Sequence, residues 1–353
     1  MRSRAWPALW RFTRRRGPVI ALCGGACVLM WLLLHDRFGT IVRAMHGIGA
    51  TGFAIMIALH LLLILPLGAA WSMLARGTRE AGLWRFVWGR LIRDSAGEAL
   101  PLSQLGGHVL GARAVQLCGI SGTFAAASTV VDLAVEFTAR LPYMALGLGL
   151  LVWFKPDSDL IWPSIFAGLV MTLMAVLLAA SLIRGPAFLD RVAPRLAPRW
   201  ASAAGGMPSR LRATIEAIQS RRGGLARAAL LHGGAWMLSA FELWLPFRFM
   251  HAGLGLPQVI AIDGLVSGLR SFVFFVPGAL GLQEGAYVVA CGLFGVPPTV
   301  ALAASLLRRG RDIAIAVPAL LSWQFLEGRR AWQDAAANDL AAITEPAITG
   351  ANR

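Results

Sequence analysis

Arg308, Arg309, Arg311 and Asp312 stand in the middle of an apolar stretch, with TVALAASLL before them and IAIAVPALLSW after. At a helix centre in lipid each such charge costs roughly 2.5 to 3.5 kcal/mol, against only about 0.3 to 0.6 regained per Leu, Ile or Val. The segment therefore needs partner charges or water inside the protein, and ionisable groups at that depth mark a functional site by default. A second set lies earlier in the chain, where Asp132, Glu136 and Arg140 fall at i, i+4 and i+8 on one helical stripe. An intrahelical Glu136–Arg140 pair that eases insertion is one account. A stripe facing a polar interior is the better one, because Asp132 stays uncompensated on its own helix.

Glu242, Asp263 and Arg270 complete the charges within apolar runs. With Asp132, Glu136 and Glu284 they supply enough acids to pair with Arg140, Arg308, Arg309 and Arg311, leaving a near-neutral, hydrated centre. The pairing is not readable from sequence. Because arginine stays protonated whereas buried carboxylates can be neutralised, any proton coupling would fall to the acids.

The stretch FVFFVPGALGLQEG, residues 272–285, is the most specific in the chain. Pro277 removes a backbone donor, and Gly278, Gly281 and Gly285 permit turns and close approach. Such a segment reads as a discontinuous or re-entrant helix, allowed at membrane depth only where protein or a water-filled cavity satisfies its backbone. A half-helix starting near Gly281 would aim its amides and positive dipole end at an anion such as a lipid phosphate. An ordinary proline-kinked helix, with Gln283 and Glu284 in structural roles, is the plainer alternative. GEALPLSQLGG, residues 97–107, repeats the ingredients more weakly in Glu98, Pro101, Gln104, Gly106 and Gly107. Two interrupted segments in corresponding halves point to a transporter site at a repeat interface.

The elements that must hold these residues are membrane helices. Of the 353 residues 57% are hydrophobic and 14% charged, and the mean hydropathy is +0.64. That leaves too little polar surface for a soluble globule. Apolar segments near 18–35, 48–74, 122–154, 160–183, 226–251, 256–276, 280–296 and 299–326 give about eight spans, at ~20 residues each. The expected fold is all-α and polytopic, with interrupted or re-entrant segments and a weak internal repeat. The expected organisation is a basic cytoplasmic N-terminus over 1–17, one transmembrane domain over 18–327 with a cytoplasmic loop at 184–225, and a polar tail over 328–353.

The net charge of +15 rests on arginine, since Lys155 is the only lysine. Arginines cluster at the N-terminus and at 76–93, 184–227 and 329–330, which places both termini in the cytoplasm and argues against nucleic acid as partner. The 76–93 stretch interleaves Trp84, Phe86 and Trp88 with Arg85, Arg90 and Arg93, as suits a helix lying on the membrane surface with its arginines toward phosphates. A plain cytoplasmic connector fits equally. The N-terminal MRSRAWPALWRFTRRRG and the apolar run after it lack a small-x-small cleavage site and read as an uncleaved signal anchor. Cys23, Cys27, Cys118 and Cys291 form no CxxC pair, so no metal or other cofactor is expected.

FFVPGALGLQEGAYVVACGLFGV at 274–296, followed by ALAASLLRRGRDIAIAVPALLSWQ at 301–324, resembles the lysylphosphatidylglycerol synthase transmembrane-region family, or flippase-like integral membrane proteins. GEALPLSQLGGHVLGARAV at 97–115 points to its hopanoid-biosynthesis-associated branch. The resemblance implies a bacterial inner-membrane protein that moves a lipid between leaflets or hands it onward, and draws attention to Pro277, Gly278, Gln283, Glu284, Arg308 and Arg311. A soluble aminoacyl-transfer domain, present in bifunctional members, does not follow Glu327. Lipid translocation is therefore the leading expectation, with a membrane lipid as substrate and lipid-biosynthesis or export proteins as partners. An intramembrane lipid-modifying enzyme, with Glu284 or Asp132 as acid or base, and a scaffold for a lipid-synthesis complex are the alternatives; HExxH, paired DxxD carboxylates and GxSxG are all absent.

Overall fold

The computed structural model describes Met30 and residues 38–76, 78–100, 103–184, 209–272 and 279–349, and the regular elements among them are all helical. The predicted span at 18–35, apart from Met30, lies outside the described residues, as do Pro101, Pro277 and Gly278. The helices are α1 Phe38–His46, α2 Gly49–Met73, α3 Leu83–Ala99, α4 Ser103–Leu117, α5 Gly122–Phe154, α6 Ile161–Arg184, α7 Ser209–Gln219, α8 Arg222–Phe249, α9 Leu256–Phe272, α10 Leu282–Gly292 and α11 Pro298–Thr349. By length and composition α2 and α5 are apolar enough to cross a membrane. Both turn large apolar side chains outward, Ile55, Leu61, Leu62 and Leu65 on one and Val130, Leu146, Val152 and Trp153 on the other. So much contiguous apolar exterior is a surface made for lipid.

Three stretches depart from the expectation. The residues from Ser209 onward, read as loop, form α7, which buries Ile215 and Ile218 against Trp71 and Phe124. The arginine-rich stretch read as a surface helix or connector is instead the first arm of a hairpin: α3 packs on α2, α4 and α11, with Arg90 and Arg93 buried and Trp84 outside. Glycines permit the fit, since a Cβ on Gly107 would lie 2.5 Å from the Arg93 carbonyl oxygen and one on Gly89 2.3 Å from Val115. Backbones that close are the signature of small-residue helix packing. In the same way α9 and α10, predicted as separate spans, are arms of one hairpin; at 11 residues α10 is about 16 Å long, too short to cross a bilayer.

The two hairpins open at opposite ends of the bundle. At the basal end, the Ser121 amide at the start of α5 donates to Glu80 in the α2–α3 turn at 3.2 Å, and Arg221, before α8, donates to the Arg76 carbonyl after α2 at 2.8 Å. The end of α2 and the starts of α3, α5 and α8 therefore lie together there. At the distal end, Gly52 near the start of α2 meets Phe249 at the end of α8, and Phe154 at the end of α5 meets Phe294, after α10, edge-on. The α3–α4 hairpin thus enters from the basal end and the α9–α10 hairpin from the distal end. Their tips meet inside, where Arg270 near the end of α9 is paired with Glu98 near the end of α3.

The arrangement is an inverted repeat. In the first half α2 leads into hairpin α3–α4 and then long α5; in the second, α8 leads into hairpin α9–α10 and then long α11, with matching neighbours in contact throughout. The halves also interlock reciprocally, α3 of the first packing on α11 of the second and α9 of the second on α5 of the first. An apolar cluster sits at the base of each hairpin, around Trp71, Phe86 and Val131 in one half and Phe247, Ile262 and Tyr287 in the other. Each fully buried side chain of that size stabilises the base by about 1.5–3 kcal/mol.

Candidate functional site

Between the two apolar clusters lies a belt of charge. Asp132 and Arg308 each stand ten residues beyond the first residue of their long helix, α5 and α11, so both lie about 15 Å in. The helical period places Glu136 and Arg311 on the same inward faces one turn further on.

In the first half, α3 supplies the counter-charges. Arg93 donates to Asp132 Oδ2 at 2.7 Å and to Glu136 Oε2 at 2.6 Å, while Arg90 donates to both Glu136 oxygens at 2.9 and 3.2 Å and to Asp94 at 2.8 Å. The remaining Asp132 oxygen lies 3.1 Å from His232 Nε2 on α8. Asp132 and His232 side chains are both 0% exposed. Asp132, Glu136 and His232 are near enough together to ring a metal ion, but the carboxylates are already engaged by two guanidiniums, and a dication would have to displace them. Arg140, predicted on the same stripe, stands 3.7 Å from Glu136 and spreads its guanidinium 4.1 Å above the Trp236 ring, a cation–π contact.

In the second half the signs are exchanged. Arg308 donates to Asp263 at 3.1 Å, to the Tyr287 hydroxyl at 2.6 Å and to Ser239 at 3.1 Å, and Tyr143 from the first half donates to the other Asp263 oxygen at 2.6 Å. Arg309 is paired with Glu284, and Arg311 with Glu242 and with its neighbour Asp312. Glu242 is also 3.1 Å from His60 Nδ1 on α2.

The predicted half-helix does begin at Gly281, which sits at φ 74, where only glycine is at ease, with Ala279 at φ 47 before it. The Gly281 amide donates to Glu284 at 2.8 Å, so one amide at this end is taken by the helix's own third-position carboxylate. Gln283 donates to Ser305 at 3.3 Å, tying α10 to α11. Glu98 forms the tip-to-tip pair with Arg270. Gln104 lies in the first turn of α4, and its side chain, like Pro101, Pro277 and Gly278, falls outside what is described.

Sequence reasoning missed Arg90, Arg93, His60 and His232. The signal for the arginines was present as a debt: Asp132 needed a cation that its own helix did not carry, and Arg90 and Arg93, at i and i+3, present two guanidiniums on one face. The histidines gave no such signal, since each is isolated in an apolar run.

The family model for the lysylphosphatidylglycerol synthase TM region matches residues 17–319. No curated protein and no solved structure matches the chain significantly. Because the matched residues take in both hairpins and the whole charged belt, the chain belongs to the lysylphosphatidylglycerol synthase transmembrane-region family, a family of membrane proteins related to lipid handling.

Proposed function

We propose that the protein translocates a polar-headed lipid, a hopanoid or another amphiphile, between the leaflets of the bacterial inner membrane, as a multi-pass protein with both termini in the cytoplasm. The supporting observation is the meeting of two oppositely entering hairpins at Glu98 and Arg270 within a belt of buried charge. Interrupted helices related by an inverted repeat, with their breaks near the midplane, are the frame on which alternating-access transporters are built. A head group needs polar partners along its path while its tail stays in lipid. The belt offers Asp132, Glu136, Arg140, Glu284, Arg308, Arg311 and Asp312 for the first, and the apolar exterior of α2 and α5 accommodates the second. The same belt made of matched pairs disfavours tight capture, and weak multi-partner contact is what passage requires.

The test is the leaflet distribution of labelled lipids, hopanoids included, in proteoliposomes holding the wild type, Glu284→Gln or Arg311→Gln. Wild type is expected to move lipid, and both variants to accumulate in the membrane at normal levels and move none. Folded wild type that moves no lipid overturns the reading. Variants that vanish from the membrane assign those two residues to folding rather than passage.

A further inference from the structure

His60 and His232 occupy equivalent places in the inverted repeat. Each sits near the middle of the helix that opens its half, α2 or α8, and each reaches across to the other half or its interlocked partner: His60 to Glu242 on α8, His232 to Asp132 on α5. Both contacts therefore span the seam along which the halves must slide if the site is to face first one leaflet and then the other. We propose, building on the translocation reading, that these two imidazole–carboxylate contacts are alternately accessible proton sites that couple lipid movement to a proton gradient.

The chemistry is that of a single proton on a ring nitrogen. An ionised carboxylate only accepts, so a neutral imidazole donates from the nitrogen that faces it, Nδ1 of His60 and Nε2 of His232. The opposite nitrogen is then the one that takes a proton. For His232 that atom, Nδ1, is buried and has no hydrogen-bond partner among the described residues. Uptake there turns an imidazole–carboxylate hydrogen bond into an imidazolium–carboxylate ion pair and ties the two halves more tightly; release loosens them. An imidazole exchanges a proton far more readily than the arginines beside it, which keep theirs.

The surroundings of the two differ in access. His60 is 18% exposed and faces Glu242 from α8, Arg308, Arg311 and Asp312 from α11 and Asp94 from α3; Asp312 and Asp94 are themselves partly open, at 16% and 26%. His232 is sealed at 0% and faces Asp132 and Glu136 from α5, whose oxygens also hold Arg90 and Arg93 of α3. His60 is thus the more exposed of the two and His232 the more enclosed. The inverted repeat makes the opposite state, with His232 open and His60 shut, the natural partner of this one.

The test uses proteoliposomes of the full chain with a trapped pH-sensitive dye, head-group-labelled lipid and an imposed pH step. Gln places its amide nitrogen where Nε2 of histidine lies and Asn where Nδ1 lies, so His232→Gln and His60→Asn keep the hydrogen bond to the acid without the titration. Wild type is expected to build a leaflet asymmetry of up to about tenfold per proton carried for each pH unit, with proton flux seen by the dye. Each variant is expected to exchange labelled lipid to an even distribution, with no gradient-driven asymmetry and no lipid-linked proton flux. Wild type that moves lipid with no proton flux and no response to the pH step overturns the coupling and leaves translocation standing. Wild type that moves no lipid overturns both. Should a variant fail to fold, the wild-type flux measurement decides alone.

Discussion

The two halves share a frame and exchange their charges. In the first, the long helix α5 carries the acids and the hairpin arm α3 the arginines; in the second, α11 carries the arginines and the acids come from α8, α9 and α10. The halves also differ in how the charges are joined. Glu136 is shared by Arg90, Arg93 and Arg140, and Asp132 by Arg93 and His232, in a sealed mesh. In the second half Asp263 and Glu284 each meet one arginine, supported by hydroxyls and a backbone amide. A mesh resists the loss of any member, because every remaining group keeps part of its charge uncompensated in a dry interior. Separate pairs can open one at a time. The difference makes the first half the stiffer frame and the second the one whose pairs part more readily.

The sharpest way to break that assignment is to remove one arginine from each side. Arg93→Met takes the close guanidinium from Asp132 and one of three from Glu136 and is expected to destabilise by about 3–5 kcal/mol, the cost of breaking a buried ion pair from one side. Arg309→Met leaves Glu284 its Gly281 amide and Ser305 and is expected to cost less than Arg93→Met. Thermal unfolding in detergent ranks the two. An equal or reversed order would mean that the mesh is no more a frame than the pairs are.

The hairpins sharpen the same comparison. The α3–α4 arms are joined across 100–102 and lie glycine against glycine, Gly107 on Gly97. The α9–α10 connection runs from 273 to 281 and ends in the left-handed turn at Gly281. Gly107→Ala drives a methyl into backbone and is expected to cost about 1–3 kcal/mol. Gly285→Ala, with nothing within 4 Å of the new methyl, is expected to be neutral or to stabilise by up to about 1 kcal/mol through helix propensity. Unfolding midpoints of the two variants in one detergent check the contrast.

What the sequence disclosed follows the same physics. Helices α2, α5, α6 and α8 were legible because an apolar run of membrane length has few other uses, and the break before Gly281 because Pro277 and clustered glycines have no place in an unbroken span. The break between α3 and α4 was read in residues 97–107, but the burial of α3 was hidden. Its aromatics and arginines alternate in a way that reads as a surface helix, since burying Arg90 and Arg93 is sensible only once Asp132 and Glu136 are known to wait opposite. Charge complementarity across a fold is a property of pairs, and a lone chain displays its members one at a time. The same limit hid the histidines, whose meaning comes from the carboxylates they face.

Where the halves are tied at the basal end, the effect is expected to be smallest. Arg113 of α4 holds Glu327 of α11, donating at 2.5 Å from Nη2 and at 3.0 and 3.2 Å from Nε, with both side chains about one-third exposed, 36% and 33%. The Arg113 hydrogen bonds hold the Glu327 carboxyl below its ordinary value of about 4.5. A carboxyl with a depressed folded pKa contributes stability that is complete above its unfolded value and is lost as pH falls through the folded one. Exposure limits the contribution to about 1 kcal/mol or less. Glu327→Gln is therefore expected to lower the unfolding midpoint slightly at pH 7, by the same small amount down to about pH 5, and by less and less as pH falls through the depressed folded value, where wild type loses the pair too. A Gln variant whose deficit persists unchanged into acid would show that Glu327 contributes by packing against α4 rather than by charge, and that the basal tie between the halves does not titrate.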